Sequence, residues 1–161
     1  HNILVLTRNE LYMKMRFMDV ALSAFYYVQD FSVDLLATDG ETMYFNGQML
    51  GGEYRQNRIE VNRAYLHLVL HCIFRHVFRR NGREELVWNL AADIAVESVI
   101  DDWNLQNIRK SQSWIRQRTY RDLKEEIKVF TAEKIYGVLV RWKLLDREME
   151  RMVRELSLIH I

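Results

Sequence analysis

The sequence predicts an α+β fold, mostly helical, with a small β-hairpin or sheet at one edge. Three observations carry this. First, the 161 residues contain no proline and only six glycines, whereas ordinary usage of roughly 5% would place about eight prolines in such a chain. Helix breakers are scarce, so long helices are favoured. Second, apolar residues recur at helical spacing along most of the length. Third, one stretch alone, "VDLLATDGETMYFN", reads as two strand-like runs joined by a tight turn. The length suits a single domain, 1–161, large enough to bury a core.

The elements run in order along the chain. In "TRNELYMKMRFMDVALSAFYYVQD", Thr7 and Glu10 stand in capping-box spacing and predict a helix from about Arg8 to Val28, with Met13, Met15 and Met18 in the core. A hairpin over about 33–46 turns at Asp39-Gly40, a dipeptide that accepts the positive φ angles of a tight turn. Gly47, Gly51 and Gly52 surround a short "QML" turn, and the polar "EYRQNRIEVN" leads into the next helix. That central helix, about 62–79, contains "RAYLHLVLHCIFRHVF", apolar on nearly every side, as in a helix buried all round. Asn81-Gly82 in "RRNGREE" is its expected left-handed cap.

A second buried helix, about 86–102, reads "LVWNLAADIAVESVIDDW" and carries Asp93, Glu97, Asp101 and Asp102, carboxylates that need partners if they are buried. The basic, polar "NLQNIRKSQSWIRQRTYRDLKEEIK" suggests a loop with short helices over 104–130. Helical periodicity resumes over about 131–157, with Thr131 and Asp146 as N-caps. The final "SLIHI" is too short to assign.

Composition excludes several functions. With 49% hydrophobic and 28% charged residues the chain is globular rather than disordered. A net charge of +1 gives no global field toward nucleic acid or an anionic membrane. The basic and aromatic "WIRQRTYR" is better explained as a solvated helix face than as a nucleic-acid surface. No apolar run reaches the ~20 residues of a membrane span, and one cysteine, Cys72, fits a reducing compartment, so the expected location is cytoplasmic. "GGEYRQN" lacks the lysine and the context of a phosphate loop.

The chemistry concentrates in "HLVLHCIFRH", residues 67–76. Residues four apart on a helix differ by about 40° in direction and about 6 Å in rise, so His67 and His71 can aim two imidazoles at one ion. His76 lies about 180° from His67 on a continuous helix, and no glycine intervenes to break it, so it is left out of the metal set. Asp93 on the following helix is the candidate third ligand, and Glu97, four residues on, shares its face. Two neutral imidazoles, one carboxylate and an open position make a catalytic zinc site. Two histidines in a buried helix are equally how a core satisfies its own polar groups, and both readings stand at this point. Cys72 faces away from the histidine stripe and reads as a small core residue.

In order along the chain, "RNELYMKMRFMDVALSAF", "LATDGETMYFN", "NRAYLHLVLHCIFRH", "WNLAADIAVESVIDDW" and "FTAEKIYGVLV" together resemble the bacterial putative metallopeptidase domain that usually precedes a von Willebrand factor A-like domain. The resemblance covers roughly Asn9 to Leu139 and implies a zincin-like fold. It also implies His67 and His71 as zinc ligands, Asp93 as the aspartate of the W-N-x-A-x-D segment, and an extended peptide added along the hairpin. It implies, as partners, a neighbouring A-like domain and a MoxR-type AAA+ ATPase.

The departure is Leu68, which stands where the zincin pattern has the glutamate that activates water. Three functions fit. Foremost is a degenerate zincin-like domain, zinc-binding but without its base, acting as a peptide- or protein-binding module. The alternatives are an active zinc metallohydrolase with Glu97 as the base, and a metal-free helical interaction domain in which His67, His71 and Asp93 form a structural polar cluster.

Overall fold

Every residue from Val61 to His71 is buried, as a stretch apolar on nearly every side predicts. In this computed structural model, which describes residues 1–76 and 79–156, the chain divides into two compact units. One comprises residues 1–76 with 104–109, and the other 79–103 with 110–156. The architecture of the described residues is α+β and mostly helical, with a three-stranded sheet.

The first unit opens with α1, Asn2–Lys14, inside which Thr7 is buried instead of serving as a cap. A 3₁₀ turn, Arg16–Met18, and the single-turn α2, Asp19–Leu22, follow, and then β1, Tyr26–Gln29. The single helix expected from Arg8 to Val28 is therefore broken. Its last residues, Tyr26, Tyr27 and Val28, are aromatic and β-branched strand formers, and they pair in parallel with a later strand. Met15 and Met18 enter the core as expected, while Met13 is 72% exposed.

Strands β2, Leu36–Thr38, and β3, Thr42–Phe45, form the hairpin. Gly40 at its turn takes φ 107°, a value that glycine alone adopts without penalty. Thr38 Oγ1 donates to Thr42 O at 2.8 Å and accepts from Gly40 N at 3.0 Å. Asp39 accepts the amides of Thr42 and Glu41 at 2.8 and 3.0 Å and the hydroxyl of Tyr44 at 2.9 Å. Those amides and that hydroxyl hold the Asp39 carboxyl below the usual carboxylate range. The sheet order is β1-β3-β2, so the last strand in sequence lies in the middle. Asn46, directly after β3, fastens the β1–β2 connection: its Nδ2 donates to Val33 O at 3.1 Å and its N–H to Leu35 O at 3.0 Å.

The expected turn at Gly47 is a helix, α3, Gly47–Gln56. Asn46 Oδ1 caps it by accepting Met49 N at 3.3 Å, and among its glycines none has positive φ. A Cβ at Gly47 would stand 2.8 Å from Gln29 Oε1, the end of a flexible side chain that can move aside. The central helix α4, Arg58–Ile73, is capped by Asn57 and packed by α1, α2, α3 and β2. Its buried polar residues find partners within the unit. Asn62 Nδ2 donates to Asn107 O and Arg63 Nη1 to Ile108 O, each at 2.9 Å, and Asn107 Nδ2 in turn donates to Glu10 O at 3.1 Å. The Tyr65 hydroxyl donates to Leu22 O at 2.6 Å and meets the Tyr27 hydroxyl at 2.7 Å; burial pushes its pKa up, so it stays a donor.

The end of α4 departs from the expected one. The helix stops at Ile73, not near residue 79, and Arg75 adopts φ 59°, with its N–H donating to Cys72 O at 3.1 Å. This is a left-handed helix cap of the kind glycine usually supplies. Residues 77 and 78, the last of the expected helix interior, lie outside the described residues.

The second unit is helical. Its first turn, with Asn81 at φ 51° and Gly82 at φ 77°, is closed by Arg83 N to Arg80 O at 3.0 Å; these residues precede the next helix and do not cap α4. Helix α5, Glu85–Trp103, packs on α7, Ala132–Trp142, and on α8, Asp146–Leu156. Helix α6, Trp114–Glu126, packs on α7 and α8. Trp88, Leu90, Ile94, Leu123, Ile135, Val138 and Leu156 lie in the shared core.

Thr131 caps α7 through Lys134 N at 3.3 Å, as expected. Asp146 instead sits in the first turn of α8, and Glu148 Oε2 accepts the N–H of Leu145 at 3.1 Å. The stretch expected as a loop with short helices holds one regular helix, started by Ser113 Oγ accepting Arg116 N at 3.1 Å. The "SLIHI" segment lies outside the described residues.

A left-handed arginine costs about 1–2 kcal/mol that glycine does not incur. Arg75→Gly is expected to hold or raise the unfolding midpoint, and Arg75→Val to lower it, in denaturant titrations followed by circular dichroism.

Candidate metal centre

Helix α4 presents His67 and His71 one turn apart, and both side chains are fully buried. Their Nε2 atoms face each other at 2.9 Å, with the rings edge to face at a centroid separation of 4.6 Å. Two lone-pair nitrogens so placed are either bridged by one hydrogen or chelate one cation. A zinc ion bound at about 2.0–2.1 Å to each, in tetrahedral geometry, needs the nitrogens about 3.3 Å apart. A rotation of a few tenths of an ångström therefore converts the observed pair into a chelate, and the donor set fits a divalent metal.

His76, which the continuous-helix argument set aside, belongs to the same cluster. It is 5% exposed, and its Nδ1 lies 3.0 Å from Nδ1 of His71. The helix ends before it, and the left-handed Arg75 turns the chain back so that the ring reaches His71. No glycine marks this stop, and nothing else in the residue pattern announces it.

Leu68, the residue after the first histidine, is buried in the core of α4's unit. It offers neither a proton acceptor nor a charge at the position where a metallopeptidase carries its base. Cys72, on the same helix, is half-buried, with Sγ 4.0 Å from Thr38 Oγ1. Burial pushes its thiol pKa up, which disfavours the thiolate.

The two remaining candidates lie on α5 in the second unit. Asp93 is 4% exposed, on a helix whose other buried residues are mostly apolar. Glu97 is fully buried, and its Oε1 accepts from Arg116 Nη2 at 3.1 Å. Arg116 is the basic residue that sequence reasoning missed. In "WIRQRTYR" it looks like one of several surface arginines, yet it is fully buried. Its Nη1 donates to Asp101 Oδ2 at 2.9 Å and to the Tyr120 hydroxyl at 3.2 Å, and its Nη2 also bonds the Glu155 carbonyl. Tyr120 donates to Asp101 Oδ2 at 2.7 Å, and burial pushes its pKa up, keeping the proton in place. A carboxylate fixed by a buried guanidinium is held in its ionised, bonded state, which weighs against Glu97 as a mobile base.

A family model described as a putative metallopeptidase domain matches residues 7–154 of the chain. No curated protein and no solved structure matches the chain. Among the described residues no helix is long and apolar enough to cross a membrane.

Removing one partner of a buried ion pair costs about 3–5 kcal/mol, because the other charge is left uncompensated. Arg116→Ala is expected to lose that much stability in urea denaturation. Glu97→Gln, which keeps a hydrogen-bonding oxygen, is expected to lose less.

Proposed function

Since the chain belongs to the putative metallopeptidase domain family, we infer that His67, His71 and Asp93 together hold a zinc ion, and that this centre serves peptide or protein binding rather than efficient peptide hydrolysis. One observation carries the inference: two fully buried histidines one turn apart converge on a single point, while the position between them that should carry the base is Leu68.

Two imidazoles and one carboxylate with an open position are the donor set of catalytic zinc sites. Asp93 supports the assignment as a buried carboxylate among mostly apolar buried neighbours on its helix, where a cation offsets the cost of its burial. The ion, when bound, supplies Lewis acidity toward water and a carbonyl oxygen.

The protein's own residues decide the outcome. His67 and His71 orient the ion, and Asp93 neutralises one of its charges. Leu68 can neither take a proton nor hand one on, and loss of a general base costs typically 10²–10⁴-fold in rate. Glu97, engaged by Arg116, does not replace it.

Binding remains. Strand β2 is an edge of the sheet and packs against α4, so its open side can take an extended peptide by strand addition. An A-like domain and a MoxR-type AAA+ ATPase are the partners that the family resemblance suggests. A reducing, cytoplasmic setting is consistent with the one half-buried cysteine.

Elemental analysis of protein purified without a histidine tag is expected to give near-stoichiometric zinc, lost in His71→Ala and strongly reduced in Asp93→Ala. Wild-type protein that stays metal-free after zinc is supplied and the excess removed would sink the proposal. Leu68→Glu is expected to raise peptidase turnover on a casein or fluorogenic peptide mixture by about 10²-fold or more. The same zinc content with no gain in turnover would show that more than the glutamate is missing.

A further inference from the structure

The zinc proposal uses one nitrogen of each histidine on α4 and leaves the third imidazole without a task. His71 stands in the middle of a row of three rings. Its Nε2 faces His67 Nε2 at 2.9 Å, and its Nδ1 faces His76 Nδ1 at 3.0 Å. The planes of His71 and His76 are inclined by 70°, with centroids 5.2 Å apart.

We propose that His76 is a positioning residue for the metal ligand His71: its Nδ1 accepts the Nδ1–H of His71 and so fixes the tautomer that leaves His71 Nε2 free to bind an ion. The proposal rests on His67 and His71 being ligands. Its chemistry is that of neutral imidazole, which has one N–H and one lone pair. Whichever nitrogen holds the hydrogen cannot bind a cation, and a hydrogen-bond acceptor placed at Nδ1 keeps the hydrogen there. Ligating histidines usually find a carboxylate or a backbone carbonyl in that role. An imidazole acceptor does the same work without adding a negative charge.

The arrangement separates this role from that of a third ligand. His76 approaches the nitrogen of His71 that points away from His67. An ion between the two Nε2 atoms therefore lies on the far side of the His71 ring. Five residues beyond His71 an unbroken helix would carry His76 about 140° around its axis. The helix end at Ile73 and the left-handed Arg75 are what bring the ring back. The cap and the hydrogen bond thus form one device.

The test measures zinc affinity by chelator competition, and the visible absorption of the cobalt-substituted protein, for wild type, His76→Ala and His76→Asn. An asparagine Oδ1 can replace the accepting Nδ1. The expected result is an affinity about 10–100-fold weaker with a shifted cobalt spectrum in His76→Ala, and recovery of most of both in His76→Asn. Equal affinity and an unchanged spectrum in His76→Ala would overturn the proposal while leaving the ligand assignment intact. Loss in both variants would overturn it too, since an acceptor at that position would then not be what matters. Absence of metal in the wild type would overturn the ligand assignment first, and this proposal with it. Should His76→Ala fail to fold by circular dichroism, His76→Asn alone decides: near-wild-type affinity supports the role and a large loss refutes it.

Discussion

A helix buried without interruption from Val61 to His71 must find hydrogen-bond partners for the polar side chains of that stretch, and α4 carries several there. Each unmet partner would cost about 1–3 kcal/mol. The first unit is arranged around this demand. Residues 104–109 return to it from beyond α5 and offer the carbonyls of Asn107 and Ile108 to Asn62 and Arg63. The last residue of α2, Leu22, offers its carbonyl oxygen to Tyr65. The histidines bond one another in a row. The other buried residues of the helix are apolar and pack without such needs, so the polar residues set where its neighbours lie.

The same accounting explains why the centre tolerates Leu68. A leucine there is an ordinary, fully buried core residue, and burying it is favourable. A glutamate in that place would need a cation or a donor nearby to be stable when buried. A leucine there is therefore easy for the fold to accommodate, whereas removing His71 would take one bonding partner from both His67 and His76. In the second unit Glu97 and Asp101 meet the requirement for a partner in another way, through Arg116.

How much of this was legible in the sequence depended on whether the signal was local. The hairpin was legible because Thr38, Asp39 and Gly40 satisfy their own turn. The buried character of α4 and α5 was legible because apolar residues occupy nearly every side of both helices, and the cap at Thr131 from its spacing. The histidine pair at 67 and 71 needed only helical geometry. What failed depended on the rest of the chain. Tyr26 to Val28 continues a helical pattern and becomes a strand because β3 is there to pair with it. The glycines around Gln48 read as a turn and form a helix because Asn46 caps it. Arg116 shares the composition of a surface arginine, and only the three-dimensional meeting of α5, α6 and α8 makes it interior. His76 was misplaced because a left-handed arginine ended the helix where no glycine was present to announce it.

The strand order has a consequence for how the protein is made. Strands β1 and β2 are the outer members of the sheet, and β3, which pairs with both, is the last to be translated. During N-to-C synthesis neither outer strand has a native partner until Phe45 has left the ribosome, and Asn46, the next residue, then ties down the connection between them. At roughly 5–20 residues per second, β1 waits on the order of a second with its exposed Tyr26 and Val28 unpaired. Both pairings of the sheet thus depend on the one strand that is made last.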